Sequence, residues 1–367
     1  MARHFGNAKP DVARDGFPLR VTGIYATCHL VVDLACVTTM LGVVAPTLGV
    51  SDMLGRAAAI VAYDMLAFCL QLPIGALLDM LGPRGWRGGA LVSLAMVAAG
   101  VWCVRLVGNA PLVAALVLVA VGNALFHCAG GEEVLAASGE RAAPSGIFIS
   151  TGAIGVVVGG MAAWNTWAGV SVALVAALAV CALLVLAAGP LAYEWRGLSL
   201  ELGPVGWLTV VLLAATVVLR AYAGAVMTYP WKVDAGLAWC ALAAVVGGKA
   251  AGGVVSDRLG ASATAVLSLG AAAPLFLLSW ENAAAGLGAT FLFNFTMAIT
   301  LTALARLMPE ARGLAFGVAS FSLAIGALPV LLGFVVTGPQ VLCGLSLASL
   351  VLLASALLLS HWGQSPM

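Results

Sequence analysis

Apolar runs long enough to cross a lipid bilayer recur along this chain from Val21 almost to its C-terminus, separated only by short polar turns. A spanning helix needs roughly 20 residues, and in lipid a helix satisfies its own backbone hydrogen bonds. Such a chain folds as a set of membrane helices. Of its 367 residues 63% are hydrophobic and 8% charged, against about 25% charged in a soluble domain, and the mean hydropathy is +1.11. Turn signals and charges delimit runs near 21–45, 57–79, 89–108, 112–136, 145–168 and 170–190, then 205–228, 237–256, 262–280, 284–305, 313–336 and 340–361. The expected fold is all-α and polytopic, with twelve transmembrane helices. No room remains for a separate aqueous domain. Tyr193 to Pro204 is the most polar internal connection. It divides the chain into an N-terminal segment 1–20, a six-helix bundle 21–192, a central loop 193–204 and a second bundle 205–362.

Lysine and arginine placement sets the orientation. With a cytoplasmic N-terminus, Arg3, Lys9, Arg14, Arg20, Arg84, Arg87, Arg141, Arg196, Arg258, Arg306 and Arg312 share the cytoplasmic side. Only Arg56, Arg105 and Lys232 face the other. Both termini are thus expected inside, in the cell's inner (cytoplasmic) membrane, with no cleaved signal peptide. Trp86, Trp195, Trp207, Trp231, Trp239 and Trp280 fall near expected helix ends, where interfacial aromatics belong.

Composition also excludes functions. A net charge of +1 offers nothing to a nucleic acid. The eight cysteines lie in apolar runs without C-x-x-C spacing and read as small packing residues. Gly247–Gly253, GGKAAGG, is not a nucleotide-binding loop, so an ATP-driven pump is excluded. Lys249 raises the thought of a Schiff-base enzyme or pigment sensor, but the twofold repeat described next makes that reading poor. No enzyme activity, no cofactor and no resident metal are expected, and the protein is expected as a monomer in the bilayer.

The two halves repeat. Gly146-Ile-Phe aligns with Gly313-Leu-Ala-Phe at an offset of 167 (313 − 146), which sets Phe126-His127 on Phe293-Asn294. Gly75-Ala-Leu-Leu-Asp79 aligns with Gly253-Val-Val-Ser-Asp257 at an offset of 178 (257 − 79), which sets Gln71 on Lys249. Parallel repeats of this kind place a substrate site between the halves near the midplane.

GALLDMLGPRGWR (Gly75–Arg87) resembles the loop motif between the second and third helices of the major facilitator superfamily, and GVVSDRLG (Gly253–Gly260) resembles its echo in the second half. The sequence departs from the motif at Met80, where an arginine is usual. CHLVVD (Cys28–Asp33) and ALFHCAGGE (Ala124–Glu132) look most like the fosmidomycin-resistance-type exporters of that superfamily. The resemblance implies two pseudo-symmetric six-helix bundles. It also implies a gate on the cytoplasmic side braced by Asp79 and Asp257 with the neighbouring Arg84 and Arg258, although these residues also suit a wet helix end.

Ionisable groups inside membrane helices are costly and by default mark a function. His29 and Asp33 are four apart and share a helix face, with Asp33 near mid-bilayer, where a carboxylate suits proton uptake and release; a purely structural pair is the alternative. Asp64 and Gln71 share a face of the second helix. Asn123, His127 and Gly130 share one of the fourth, followed by Glu132 and Glu133 as coupling candidates. The second half carries the opposite sign: Arg220 and Lys249 lie in apolar helices, ready to salt-bridge Asp33, Asp64 or Glu133, or to form an anion half-site. Asn294, Thr296 and Thr300 add neutral hydrogen bonding, the threonines chiefly to their own backbone. The glycines of the fifth and eleventh helices read as close-packing surfaces, and Trp164 with Asn165 as an interfacial anchor.

The expectation is therefore a proton-coupled secondary transporter for a small organic anion or an amphipathic drug-like molecule. Its substrate contacts are His29, His127, Arg220, Lys249, Asn294 and Gln71, and its proton-coupling acids are Asp33, Asp64, Glu132 and Glu133. The family resemblance favours export. The alternative is a divalent-metal transporter using His29, Asp33 and His127, which the positive charge of Arg220 and Lys249 opposes.

Overall fold

The structure, a computed structural model, describes residues 18–48, 53–139, 141–163, 167–189 and 195–362. Among these the helices run α1 (Leu19–Leu48), α2 (Met53–Cys69), α3 (Gln71–Cys103), α4 (Asn109–Ser138), α5 (Ala143–Ala162), α6 (Trp167–Ala188), α7 (Pro204–Val226), α8 (Ala235–Leu259), α9 (Ala261–Leu278), α10 (Ala283–Leu307), α11 (Arg312–Leu331) and α12 (Pro339–Trp362). Trp164 and Asn165 lie outside the described residues.

From Gly55 to Cys103 the helix is nearly continuous over 49 residues. Straight, that rod would measure about 74 Å, more than twice the hydrocarbon thickness of about 30 Å. The chain reverses inside it instead, at Gly82, whose φ of 69° and ψ of −165° interrupt the helix just before Pro83. Glycine tolerates that backbone, and proline has no N–H to continue the ladder. The second crossing therefore ends at Gly82 and the third begins there, where the sequence suggests a gap of nine residues, 80–88.

That reversal strands the last carbonyls of the second crossing. Two indoles satisfy them: Trp86 Nε1 donates to the Leu78 carbonyl at 3.0 Å and Trp195 Nε1 to that of Asp79, also at 3.0 Å. Trp86 is 1% exposed, so the expectation of an interfacial ring is corrected there: it is the filling of the turn. Trp86→Phe keeps most of the volume and leaves a buried acceptor unpaired. We expect it to cost about 1–3 kcal/mol of stability, measurable as a lowered unfolding midpoint of the purified protein.

Within the first half α1 packs on α4, α5 and α6, and α3 on α4 and α6; within the second, α7 packs on α11 and α12, α8 on α10, and α9 on α12. The halves meet along α5 against α8 and along α11 against α2, α3 and α4. Their closest approaches fall at the end where α1 begins. A β-carbon added at Gly75 would overlap the Gly313 carbonyl, one at Gly253 the Ala142 carbonyl, one at Gly317 the Gln71 carbonyl and one at Gly146 the Lys249 carbonyl.

These contacts correct the repeat register. Gly317 touches Gln71 as Gly146 touches Lys249, so the fifth and eleventh helices correspond at an offset of 171 (317 − 146), one helical turn from the alignment of Gly146 with Gly313. The second-helix offset of 178 persists, because Gln71 and Lys249 occupy matching places. Glycines recurring about once per turn let a sequence alignment slip by four residues without penalty.

Candidate functional site

Three polar groups lie along the seam. At its closed end, α5 and α11 begin without a capping side chain of their own, which leaves their first N–H groups unsatisfied. Each is capped from the other half. Asp79 Oδ1 and Oδ2 accept from Gly313 N at 2.8 Å and Leu314 N at 2.7 Å. Asp257 Oδ1 and Oδ2 accept from Ala142 N at 2.6 Å and Ala143 N at 3.0 Å. A carboxylate at a helix N-terminus gains from both the hydrogen bonds and the macrodipole. The side chains of Arg84 and Arg258, expected beside these acids, are exposed at the same end, and the bonds across the seam come from Asp79 and Asp257.

The second group is built on α1, α4 and α5. His29 and Asp33, one turn apart, meet His127 from α4. His29 Nε2 stands 2.8 Å from His127 Nε2 and 3.2 Å from Asp33 Oδ2, while His127 Nε2 is 3.6 Å from Asp33 Oδ1. Asn123 Nδ2 donates to Asp33 Oδ1 at 2.9 Å. The outer nitrogens face carbonyls: His29 Nδ1 to Phe148 at 2.7 Å and His127 Nδ1 to Asn123 at 2.9 Å. The helix α5 can come close enough because it presents Gly152; a β-carbon there would lie 2.5 Å from His29 Nε2 and 2.6 Å from Asp33 Oδ2. His29, Asp33 and His127 are all buried. On the side of the closed end the rings of Phe148 and Phe316 stand 6.2 Å apart, with Phe316 6.5 Å from His127. One aromatic from each half thus lies between the triad and the closed end.

The third group is on the second half. Arg220 on α7 is 4% exposed, and its Nε and Nη1 have no hydrogen-bond partner. Its guanidinium lies 5.4 Å from the centre of the Phe293 ring. Arg220 stands five residues beyond the midpoint of α7 and six before its end at Val226. Lys249 lies at the middle of α8, half-buried, with Arg220 and, across the seam, Asp33 as the charges acting on it. Among the described residues no carboxylate lies within 4 Å of either cation, so the salt bridges to Asp33, Asp64 or Glu133 expected from the sequence are not formed. Asn294 is half-buried and its Nδ2 donates to Thr290 in its own helix at 2.8 Å.

The remaining candidates scatter. Gln71 is fully buried under α11, bonded to Ala67 at 2.8 Å with its Oε1 unpaired. Asp64 is half-buried on α2 beside Tyr63. Adjacent residues on a helix point about 100° apart, and Glu132 and Glu133 separate accordingly. Glu132 turns to the closed end of the seam, toward Asp79 and Arg312, with Oε2 unpaired. Glu133 turns into the first half toward Arg87 and Tyr25. At the far end, beyond α7, Lys232 donates to the Met227 carbonyl at 2.7 Å and burial holds its ammonium below its ordinary value; burial likewise pushes the Tyr229 hydroxyl up to about 12.

The ligand atoms of His29, Asp33 and His127 lie within 4.8 Å of one another. Two imidazole nitrogens on tetrahedral zinc, each about 2.0–2.1 Å from the ion, stand about 3.3 Å apart. The observed 2.8 Å is a hydrogen-bond separation instead, and Lys249 is close enough to act on Asp33. The arrangement does not fit a bound divalent ion.

No protein-family model matches the sequence, and no curated protein matches it. Solved structures do match in shape. The fucose:proton symporter of Escherichia coli superposes with a TM-score of 0.68 at 13% identity, over 95% of this chain and 100% of the other. A major facilitator superfamily transporter, FucP, in the outward conformation gives 0.68 at 11% identity, over 94% and 99%. The human organic anion transporter MFSD10 gives 0.68 at 16% identity, over 92% and 100%. The chain thus has the major facilitator fold, in a multi-pass membrane protein.

Proposed function

We propose that this chain is a secondary active transporter that moves a small organic anion, or an amphipathic anionic drug-like compound, in exchange for protons by alternating access. The observation that carries the reading is Arg220. A guanidinium is always charged, and burying one costs on the order of 3 kcal/mol on insertion scales. Here it is held with two unpaired donor nitrogens against an aromatic face, which is the geometry of a site waiting for an acceptor with two oxygens. Lys249 adds a second cation and Asn294 a free amide oxygen. The first half supplies proton carriers in Asp33, His29 and His127, with Glu132 at the gate and Asp64 and Glu133 as lesser candidates. The shape likeness to a proton symporter and to an organic anion transporter agrees with the reading.

In this proposal both termini are cytoplasmic, as the lysine and arginine distribution favours, so the stapled end faces the cytoplasm and the state described is closed on that side. The runs Cys28–Asp33 and Ala124–Glu132 favour export from the cell. The divalent-metal alternative is not favoured, for the spacing and charge reasons given above.

The test is flux into proteoliposomes under an imposed pH gradient, with anionic, zwitterionic and cationic compounds compared side by side. Gradient-driven movement of anions, lost when the gradient is collapsed, is the expected result. Movement confined to cations or divalent metals, or flux indifferent to the gradient, would refute the proposal.

A further inference from the structure

We propose that His29 and His127 hold a single proton between their facing Nε2 atoms, with Asp33 as its counter-charge, so that the two imidazoles and the carboxylate form one site for one H⁺. The argument is one of donors and acceptors. Each Nδ1 lies at hydrogen-bond distance from a backbone carbonyl, 2.7 Å for His29 and 2.9 Å for His127. A carbonyl only accepts, so both Nδ1 atoms carry hydrogen. In a neutral imidazole the other nitrogen then bears a lone pair. Two neutral rings would oppose two lone pairs at 2.8 Å, beside a carboxylate. That is repulsive on every count. One added proton turns the opposition into an N–H···N bond and cancels the charge of Asp33, which Asn123 holds from its other side at 2.9 Å.

Among the described residues no other acid lies within bonding reach of the pair. On α1 the flanking titratable groups are Tyr25, Cys28 and Cys36. The helix α2 brings Tyr63 and Asp64, and α8 brings Lys249, which acts on Asp33 across the seam. Toward the pair α5 presents only Gly152 and Phe148, and α11 presents Phe316. When the proton leaves to water, the pair loses its bond and Asp33 becomes an uncompensated anion. The rings must then part, and Lys249 becomes the nearest cation that can answer Asp33. The same helix, α5, carries both ends of this exchange: Gly152 touches His29 and Asp33, and Gly146 touches the Lys249 backbone. That Lys249 then lets go of a substrate anion rests on the carrier reading above; the proton site itself does not. It specifies one proton per cycle, carried on imidazole.

The experiment is NMR of purified protein labelled with ¹⁵N-histidine, with His29→Gln and His127→Gln to assign the rings. Expected are two rings protonated at Nδ1 and one strongly downfield proton correlated with both Nε2 atoms. Either single variant should abolish that signal, and a dye-monitored base titration should release one proton fewer than the wild type. Gly152→Ala serves if those variants fold poorly; its methyl pushes on the pair and should shift or split the shared resonance. An Nε2–H tautomer with a bare Nδ1 on either ring would overturn the proposal. So would two independently titrating histidines, or stoichiometric Zn²⁺ binding that replaces the signal. Loss of the shared proton leaves the anion carrier standing, whereas absent anion flux with the shared proton intact removes only its coupling role.

Discussion

Replacing Arg220 by methionine is expected to make the protein more heat-stable and to abolish the organic-anion binding proposed for it. The two effects have one cause. A buried cation without a carboxylate partner opposes folding by on the order of 3 kcal/mol, and its contact with the Phe293 face returns about 0.5–2 kcal/mol. Methionine fills the space without the charge, so a net gain of about 1–2 kcal/mol follows. A structural cation behaves oppositely, since removing one member of a buried pair costs about 3–5 kcal/mol. Binding moves the other way. Two charge-assisted bonds of about 1.5–3 kcal/mol each make the variant weaker by roughly 10²–10⁴-fold. Thermal unfolding with and without a panel of carboxylates and phosphonates measures both. The wild type should gain about 2.7 kcal/mol at a hundredfold excess over Kd, and the methionine variant nothing. Arg220→Lys keeps the charge, loses the fork and should fall between them. A destabilised methionine variant, or one that still responds to the anions, would end the assignment of an anion site to Arg220.

What could be read from the sequence, and what could not, divides by the range of the physics involved. Span number and the two aspartates at the ends of the second and eighth helices are local properties: hydropathy sets one and a short motif the other. At the reversal at Gly82, Trp86 reaches back eight residues and Trp195 across 116 to the stranded carbonyls, and the second is a long-range donation that no window of sequence displays. Helix rotation is equally hidden. Glu132 and Glu133 are adjacent in sequence, yet one turns toward Asp79 and Arg312 and the other toward Arg87. His29 and His127 read as separate substrate contacts, while in the fold they are bonded to each other. Their meeting depends on how closely α5 lets α1 approach α4, which is set by Gly152. The glycines at 152, 155 and 159 do announce a close-packing face, so the signal was present. What they pack against needed the third dimension.

Asn at both Asp79 and Asp257 should unlatch the stapled end, and the argument rests on where α5 and α11 find their caps. Neither helix supplies its own, so four N–H groups of one half or the other depend on carboxylates across the seam. An amide keeps one acceptor oxygen, turns an NH₂ toward the second N–H and removes the charge that faces the helix dipole. With charged hydrogen bonds at about 1.5–3 kcal/mol apiece, the double variant loses roughly 3–6 kcal/mol of closure, a shift of about 10²–10⁴ in the ratio of closed to open. The two sites should not contribute equally. Asp79 is 1% exposed, whereas Asp257 is exposed to water, where screening weakens its bonds. Spin labels at the exposed positions 84 and 258, one on each half, report the opening as a longer distance. Asp79→Asn alone should lengthen it more than Asp257→Asn, and the pair most of all. An unchanged distance distribution in the double variant would mean that the glycine contacts, from Gly75 with Gly313 to Gly146 with Lys249, hold this end shut without the carboxylates.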